Sequence, residues 1–556
     1  MKKYIFASAL VLIAAAAQAQ DTYTNYTMTS TADVIGTARY VGMGGAMGAL
    51  GADISAMTNN PASLGLFRKN DVSMTMGGVI QDARPYETDN RGHYSFDQVG
   101  FVAAFPNYEN TSFVNFGLNL QKKADYGHSL FVKNSSLNGL SQAAQLKGLY
   151  MAGVNIANNN NFQYSLPYQA NNAYIYDVEV AGQPGYHQIK SSGYDFNRLS
   201  SGNLYGLDLG IAGGLHDRVY LGMDFGIDFL RYENSQRYVE YRDGALGEVE
   251  DYDVLSNKYV SGAGINLKFG AIVRPIEENP LRVGFAFETP TWYTLTQKRS
   301  YYSIASKWNY DGYNEITQVH NYSYNPDGVY SNFDSPDDNF LDFNIHSPWR
   351  LRLSLASTVN TFLAWDVEYE YALYNNATIG YPRRYNENGA SLSMVKDPGM
   401  TALTKDCING IHNFRAGVEF KPLPEFAVRL GYNFWSKPMK DGARLDQTVD
   451  SKALDFALGT DYTNLGAAHM LNFGLGYRYK AFYGDFAYKF RAQKGDFYAF
   501  DDALQRTGSA QILLGLVIGV PTEGKLPIPV WIANVHILAP SYLLLGIYHM
   551  DILAHL

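Results

Sequence analysis

Alternation of apolar and polar residues is the strongest pattern in this chain, and residues 206–231 carry it most clearly. Successive side chains of a β-strand point to opposite faces, so this stretch predicts a β-hairpin with one apolar and one polar face. The turn is expected at residues 215–218. In the second arm the apolar positions are Leu221, Met223, Phe225, Ile227 and Phe229, and Gly222, Asp224, Gly226 and Asp228 lie between them.

The same alternation returns along the chain and predicts about fourteen strands, an even number that fits a closed barrel. A single hairpin would not separate a barrel from a soluble sandwich, but this number of repeats does. Besides the two arms of the hairpin, the predicted strands lie at residues 70–83, 95–106, 111–126, 265–273, 283–288, 350–355, 363–371, 414–420, 426–434, 471–479, 486–490 and 508–520.

The connections between these strands alternate in length. Short ones are expected at residues 107–110, 215–218, 275–280, 359–362, 421–425 and 480–481, and long ones at about 127–201, 243–257, 304–347, 382–409 and 438–466. Short turns opposite long loops are typical of outer-membrane barrels. A soluble sandwich would bury the apolar face, whereas a barrel turns it toward lipid and leaves no open sheet edge in hydrocarbon. The predicted fold class is therefore all-β, a transmembrane antiparallel β-barrel of about 14 strands.

The start of the chain and its composition indicate the cellular compartment of this barrel. Residues 1–19 combine a charged start, an apolar run and Ala17-Gln18-Ala19, which predicts a cleaved signal peptide. Cys407 is the one cysteine of the 556 residues, so no internal disulfide is possible. The net charge of −9 gives no electrostatic basis for nucleic-acid binding, and 44 Tyr with 30 Phe suit a lipid-facing wall. We expect export to the outer membrane of a Gram-negative bacterium.

Residues 20–69 precede the first predicted strand and lack sustained alternation. They contain a run of small residues at 42–53 and the triplet Asn60-Pro61-Ala62. A phosphate-binding loop would need a Gly-Lys-Ser/Thr sequence, which does not follow these glycines. Together with the strand rhythm, the two motifs resemble the FadL/TodX family of outer-membrane transporters for long-chain fatty acids and hydrocarbons. Ser63 departs from the glycine that relatives usually carry.

The resemblance implies a domain plan and a function. Residues 20–69 would form an N-terminal hatch that plugs the lumen of a barrel made by residues 70–520. Hydrophobic small molecules would diffuse inward without an energy source and leave sideways through the wall at a kinked third strand. The implied partners are the hydrophobic ligand, outer-membrane lipid and the barrel-assembly machinery, for a monomer that needs no cofactor and no metal.

The candidate ligand-binding or gating residues follow from the same reasoning. Asn60, Pro61, Ala62 and Gly65 belong to the predicted hatch, and Gly117 is a candidate bend in the third strand. Lys122 and Lys123 could pair with a ligand carboxylate or be solvated charges at the rim. Apolar residues at helical spacing in the first long loop could form a landing surface for the ligand or pack on one another. These are Leu137, Leu140, Ala144, Leu149 and Met151.

The sequence supports other functions less well than a transporter. His128 with Ser129, His346 with Ser347, and Asp366 fit no acyl-transfer arrangement, so no enzyme is predicted. A haem or hemin receptor would use Tyr and His ligands, but the 11 His form no paired motif. A general porin would lack the hatch. These two remain the alternatives.

Residues 508–556 depart from the pattern of the rest. Only Glu523, Lys525 and Asp551 carry charge there, alternation fades, and the chain ends Ala554-His555-Leu556 without a terminal aromatic residue. We expect residues 521–556 to form an atypical apolar tail, a consequence of a shifted reading frame. Residues 512–520 would still occupy the place of the last strand.

Overall fold

The structure is a computed structural model. It describes residues 20–80, 92–107, 112–134, 137, 141–155, 166–167, 170, 175, 177–179, 186–188, 191–242, 249–310, 313–323, 340–384, 390–444, 459–479, 482–500, 510–513 and 532–537. The predicted signal peptide therefore lies outside the described residues. No helix within these ranges is long and apolar enough to cross a membrane.

Strands make up most of the described chain. Up to residue 273 they are β1 Asp71–Ile80, β2 Gly92–Asn107, β3 Ser112–Asp125, β4 His128–Asn134, β5 Asp177–Glu179, β6 Tyr186–Gln188, β7 Ser191–Leu215, β8 Val219–Arg242 and β9 Val249–Val273. From there they are β10 Arg282–Glu288, β11 Trp292–Tyr310, β12 Tyr313–Ser323, β13 Phe340–His346, β14 Arg350–Val359, β15 Leu363–Ala372, β16 Thr378–Arg384, β17 Ala390–Lys396, β18 Ile411–Leu423, β19 Phe426–Trp435, β20 Tyr462–Tyr479, β21 Phe482–Tyr498, β22 Ala510–Leu513 and β23 Ile532–Ile537.

The helices are short. The α-helices are α1 Gln20–Thr29, α2 Ala38–Gly42, α3 Gln142–Asn155 and α4 Pro398–Cys407. The 3-10 helices are η1 Ile54–Thr58, η2 Pro61–Leu66 and η3 Tyr374–Asn376. Four of these seven lie in the N-terminal segment, which is defined here as residues 20–69.

Antiparallel pairings close the main sheet into a barrel. Starting from β1, the ring runs in order through β2, β3, β7, β8, β9, β10, β14, β15, β18, β19, β20, β21 and β23. It returns to β1 because β23 pairs with both β21 and β1. A closed ring leaves no strand edge unpaired at membrane depth, as a lipid environment requires.

The strands extend well into the regions that the sequence predicted as long loops. For example, β7 begins at residue 191 and β9 at residue 249, and both remain paired with β8. Outward positions of β8 beyond Phe229 are Arg231, Glu233 and Arg237, all exposed. The outward positions become polar there because they no longer face lipid, while the inward positions stay buried and backbone pairing continues. The predicted loop bounds were wrong for this reason.

The two faces of the wall are those that the alternation predicts. On β8, Phe225 has 37% of its surface exposed and the neighbouring Asp224 has 0%. Phe269 and Phe473 also face outward, Val367 is half-buried, and Lys268 and Glu368 are buried on the inner side. Arg478 takes a polar position of the same alternation but is exposed, because it lies at the short-turn end of β20.

The apolar belt has the height of a membrane's hydrocarbon layer. On β8 it runs from Leu221 to Phe229, about 27 Å along the strand at about 3.4 Å per residue. A tilt of about 40° reduces that to about 21 Å, close to the ~25 Å band of outer-membrane barrels.

Closure of the ring uses residues from the segment expected to be a tail. Ile532–Ile537 lies between Phe482–Ala487 of β21 and Val72–Gly77 of β1. Within the predicted last strand, Ala510–Leu513 pairs only with residues 494–497 of β21, near its far end. Residues 514–531 and 538–556 lie outside the described residues, so the proposed division at residue 520 stays a prediction.

Candidate functional site

The N-terminal segment lies against the inner face of the barrel. Almost every residue from Ala38 to Phe67 is buried, although no strand pairing holds the segment. Its backbone and side chains contact inward positions on strands from β2 to β21. A chain of small residues can approach a strand backbone this closely because it carries few long side chains.

Local caps give the segment its fold. The hydroxyl of Thr37 accepts a hydrogen bond from the Tyr40 amide at 3.2 Å and so caps α2. The same hydroxyl donates to the carboxylate of Asp53, which caps η1 by accepting from the Ser55 amide at 2.9 Å. These bonds connect α2 to η1. They also satisfy backbone amides that the start of each helix leaves unpaired.

Asn60 fastens the predicted motif to the rest of the segment. Its side-chain oxygen accepts from the Ala62 amide at 3.1 Å, and its side-chain nitrogen donates to the Gly48 carbonyl at 2.8 Å. Pro61 occupies the first position of η2, where a missing N–H costs nothing. Asn60, Pro61 and Ala62 are all buried. The Asn60 side chain therefore connects the start of η2 to the backbone at Gly48 within the segment.

Glycines of the barrel wall lie opposite this motif. A Cβ on Gly222 would approach the carbonyl carbon of Pro61 to 2.4 Å, and one on Gly270 would come within 2.0 Å of the Asn60 side-chain oxygen. Gly65 packs in turn on the ring of Tyr220, which a Cβ would meet at 3.0 Å. The sequence contained a signal for this surface, since glycines recur on the polar face of these strands, but nothing in it showed what they contact.

Two acidic residues of β15, Asp366 and Glu368, also hold the segment. The Asp366 carboxylate accepts from the amides of Ala49 and Leu50 at 3.0 and 2.8 Å. Two residues further along, Glu368 accepts from the Asn59 side chain at 3.2 Å. Alternation puts Asp366 and Glu368 on the polar face of this strand, but no signal in the sequence pointed to their contacts with the N-terminal segment.

Two further ion pairs join the segment to the wall. Arg39 Nε lies 3.0 Å from the Glu419 carboxylate on β18, and Asp33 lies 2.5 Å from Lys489 Nζ on β21. Burial raises the pKa of Asp33, but the charges of Lys489 and Arg491 outweigh it, so that the pKa is below its ordinary value. Asp33 is therefore a carboxylate at neutral pH.

Both predicted lysines are buried and paired within the protein. Lys122 Nζ donates to Ser95 Oγ at 2.6 Å and to Asp125 at 2.9 Å. Lys123 Nζ lies 2.7 Å from Asp228 and 3.2 Å from Asp208. Neither is a solvated rim charge, and each already has carboxylate partners. A ligand carboxylate would have to displace one of them.

Gly117 lies in a regular part of β3, and the irregularity is found further along the strand. The pairing of β3 with β7 is continuous through Gly117 and shifts between Lys122 and Ala124. A Cβ on Gly117 would meet Leu64 at 2.8 Å. The close contact with Leu64 explains why residue 117 is a glycine. The irregularity that was expected at Gly117 lies at residues 122–124 instead.

A cavity of about 160 Å³ lies where α1 and the following turn approach β1, β3 and β21. Apolar and aromatic surface makes up most of its wall, and charged groups complete it. Among the lining residues are Tyr23, Tyr26, Ile35, Val79, Ala124, Tyr126 and Leu465, together with Asp33, Asp97, Asp125, Lys489 and Arg491.

A gap in the barrel wall adjoins this cavity. The ladder between β2 and β3 ends at the pair Gln98–Gln121. In the described parts beyond it, residues 92–96 pair with β1, whereas residues 122–125 and β4 pair with β7, and no pairing joins the two sides. A second cavity of about 360 Å³ opens there, and Asp125 and His128 border both cavities.

The apolar residues of the first long loop are divided. Leu137 and Leu149 are buried in a cluster around α3, while Ala144 and Met151 are exposed. Leu140 lies outside the described residues. Within the described ranges no group of His, Cys, Asp and Glu is arranged to hold a metal ion.

No protein-family model and no curated protein sequence matches the chain. Among solved structures, it is similar to a Pseudomonas aeruginosa FadL homologue at 12% identity, with 91% of this chain and 98% of that chain covered and a TM-score of 0.45. The CymD monoaromatic hydrocarbon channel matches at 10% identity, 91% and 97% coverage and a TM-score of 0.44. The Pseudomonas putida toluene transporter TodX matches at 10% identity, 92% and 100% coverage and a TM-score of 0.44.

Proposed function

We propose that this chain is an outer-membrane channel for the passive uptake of hydrophobic small molecules, such as long-chain fatty acids, with the N-terminal segment as its gate and a lateral exit between β2 and β3. The observation that carries the proposal is the apolar cavity beside the segment, which ends at the gap in the wall. A hydrophobic ligand in that cavity needs only to pass the gap to reach lipid.

The position of the gap supports a lateral exit. Lys122 at its edge pairs with Tyr205 of β7, which pairs with Phe229 of β8. Phe229 is the last apolar residue of the belt on β8. By this register the gap begins at the long-loop edge of the apolar belt, beside the lipid into which a hydrophobic molecule gains free energy by leaving the protein.

The packing of the lumen supports a gate. Carboxylates and arginines of the inner wall hold the backbone of residues 48–60 in place. A wide aqueous pore of the porin kind would need this space to be open. Arg491 lines the cavity and donates to Gln493, and it would suit a ligand with one carboxylate on an apolar body, since a buried carboxylate needs a cationic partner.

The test is uptake by liposomes that contain the purified protein. A long-chain fatty acid and an aromatic hydrocarbon should enter faster than into protein-free liposomes, while a sugar of similar size should not. Equal entry of all three would indicate a general porin, and no entry of any would refute the proposal. Binding of haem instead, seen as a Soret band of the purified protein, would support the receptor alternative.

A paired variant tests the cavity itself. Ala124→Trp would fill the space beside Tyr126 and should slow fatty-acid entry. Ala377 follows η3 and is not among the residues that line the cavity, so Ala377→Trp serves as the control for added bulk. Heat-modifiable mobility in detergent gels shows that each variant has folded.

A further inference from the structure

The gap between β2 and β3 begins where both strands carry irregularities. On β2, pairing with β1 skips Asp97, which is a bulge between Gln98 and Phe96. On β3, pairing with β7 shifts between Lys122 and Ala124. Bulges bend a strand and increase its twist, so two of them at the same level turn the strands apart. The gap is therefore built into both strands.

Side chains bridge the gap where the backbone ladder is missing. Lys122 Nζ on β3 donates to Ser95 Oγ on β2 at 2.6 Å, and the Ser95 hydroxyl donates to Asp97. His93 Nε2 on β2 lies 3.1 Å from the Asp125 carboxylate on β3, which also accepts from Lys122.

A third strand reaches across as well. The hydroxyl of Tyr205 on β7 donates to the Phe96 carbonyl on β2 at 2.7 Å. Every one of these bonds is made by a side chain, and each joins strands on opposite sides of the gap or braces a residue that does.

These side chains separate the two cavities. Ser95, Asp97 and Asp125 line the inner cavity, and His93, Lys122 and Tyr205 line the outer one. The side chains of Lys122 and Asp125 are 4% and 9% exposed, and that of His93 is 43% exposed. A molecule that leaves the inner cavity through the wall must break this bridge.

We propose that Lys122, Asp125, His93 and Ser95 form a latch that closes the lateral exit and sets the rate of passage through it. The inference rests on the proposed function, because a latch matters only if ligand leaves sideways. A backbone ladder is cooperative and would keep the wall shut. The latch consists of a few side-chain bonds, so it opens and closes without unfolding the barrel.

The first test removes the latch. The double variant Lys122→Met with Asp125→Asn takes away both charges of the ion pair together. Uptake by liposomes should become faster, by about tenfold or more. Lys133→Met with Asp195→Asn removes an ion pair on β4 and β7 that is not at the gap and should leave the rate unchanged.

The second test locks the latch. Ser95→Cys with Lys122→Cys places one thiol on each side of the gap, in a background where Cys407→Ser removes the one native thiol. Before treatment this protein should transport faster than the wild type. A short bifunctional thiol reagent should then stop transport, and a reductant that cleaves its spacer should restore it.

The outcomes separate the two proposals. If the wild type takes up no hydrophobic ligand, the proposed function is wrong. If the wild type transports, but the cross-link leaves the rate unchanged and the first double variant is no faster, ligand leaves by another route and the latch is wrong. Gel mobility identifies any variant that has not folded, and the other variant then decides.

Discussion

Removing the Asp366 carboxylate should release the N-terminal segment from the barrel wall. Asp366 is fully buried and accepts hydrogen bonds from two consecutive backbone amides, those of Ala49 and Leu50. Arg282 holds the same turn through the Leu50 carbonyl at 2.9 Å. Asp366→Ala removes the acceptor and leaves both amides without their partner. Asp366→Asn keeps one oxygen that can accept and should act more weakly.

The size of the effect follows from the two bonds. A buried donor left without its hydrogen-bond partner costs about 1–3 kcal/mol. The two unpaired amides therefore cost about 3 kcal/mol of docking free energy. Because about 1.4 kcal/mol changes an equilibrium tenfold, the ratio of released to docked segment should rise about 100-fold in Asp366→Ala.

Single-channel recording in planar bilayers measures this ratio directly. Brief ion-conducting openings of the wild type should become far more frequent in Asp366→Ala, and limited proteolysis should cut the N-terminal segment earlier. Glu277→Ala is the matched control, because its side chain is 80% exposed at a short turn. If Asp366→Ala folds and opens no more often than the control, the two amide bonds do not hold the segment.

Three further predictions concern the wall and the segment. Gly270→Val should displace Asn60 and raise the frequency of ion-conducting openings, whereas Gly148→Ala on α3, where nothing lies within 4 Å, should have no effect in the same recordings. Phe225→Arg should destabilise the barrel by roughly 2–4 kcal/mol in chemical denaturation, because it puts a charge in the lipid-facing belt; tolerance of it would mean that the faces are reversed. The pKa of Asp33 is lowered, so its stabilising bond to Lys489 should be present above its ordinary pKa of 3.8 and lost as the pH falls below that value. Proteolysis of the segment should then rise on acidification in the wild type, while Asp33→Asn should already be cut faster at neutral pH and respond less to acid.

Much of the wall could be predicted from the sequence because its information is local. A strand places alternate residues on opposite faces, so Phe225 and Asp224 are assigned as soon as the period is recognised. The short turns were also predictable, since they separate runs of the same period. The ends of the strands were less predictable than the turns, because alternation of apolar with polar residues stops at the edge of the membrane belt while backbone pairing continues.

The site depended on contacts that no local pattern encodes. Asp366 meets Ala49 across 317 residues of chain, and Lys489 meets Asp33 across 456. The sequence drew attention to Lys122 and Lys123 but not to their partners, and it put the bend of β3 at Gly117 because a lone glycine has the same sequence signature whether it bends a strand or admits a neighbour. Which explanation holds depends on what lies opposite in space. Only closure of the barrel around its own N-terminal segment decides that.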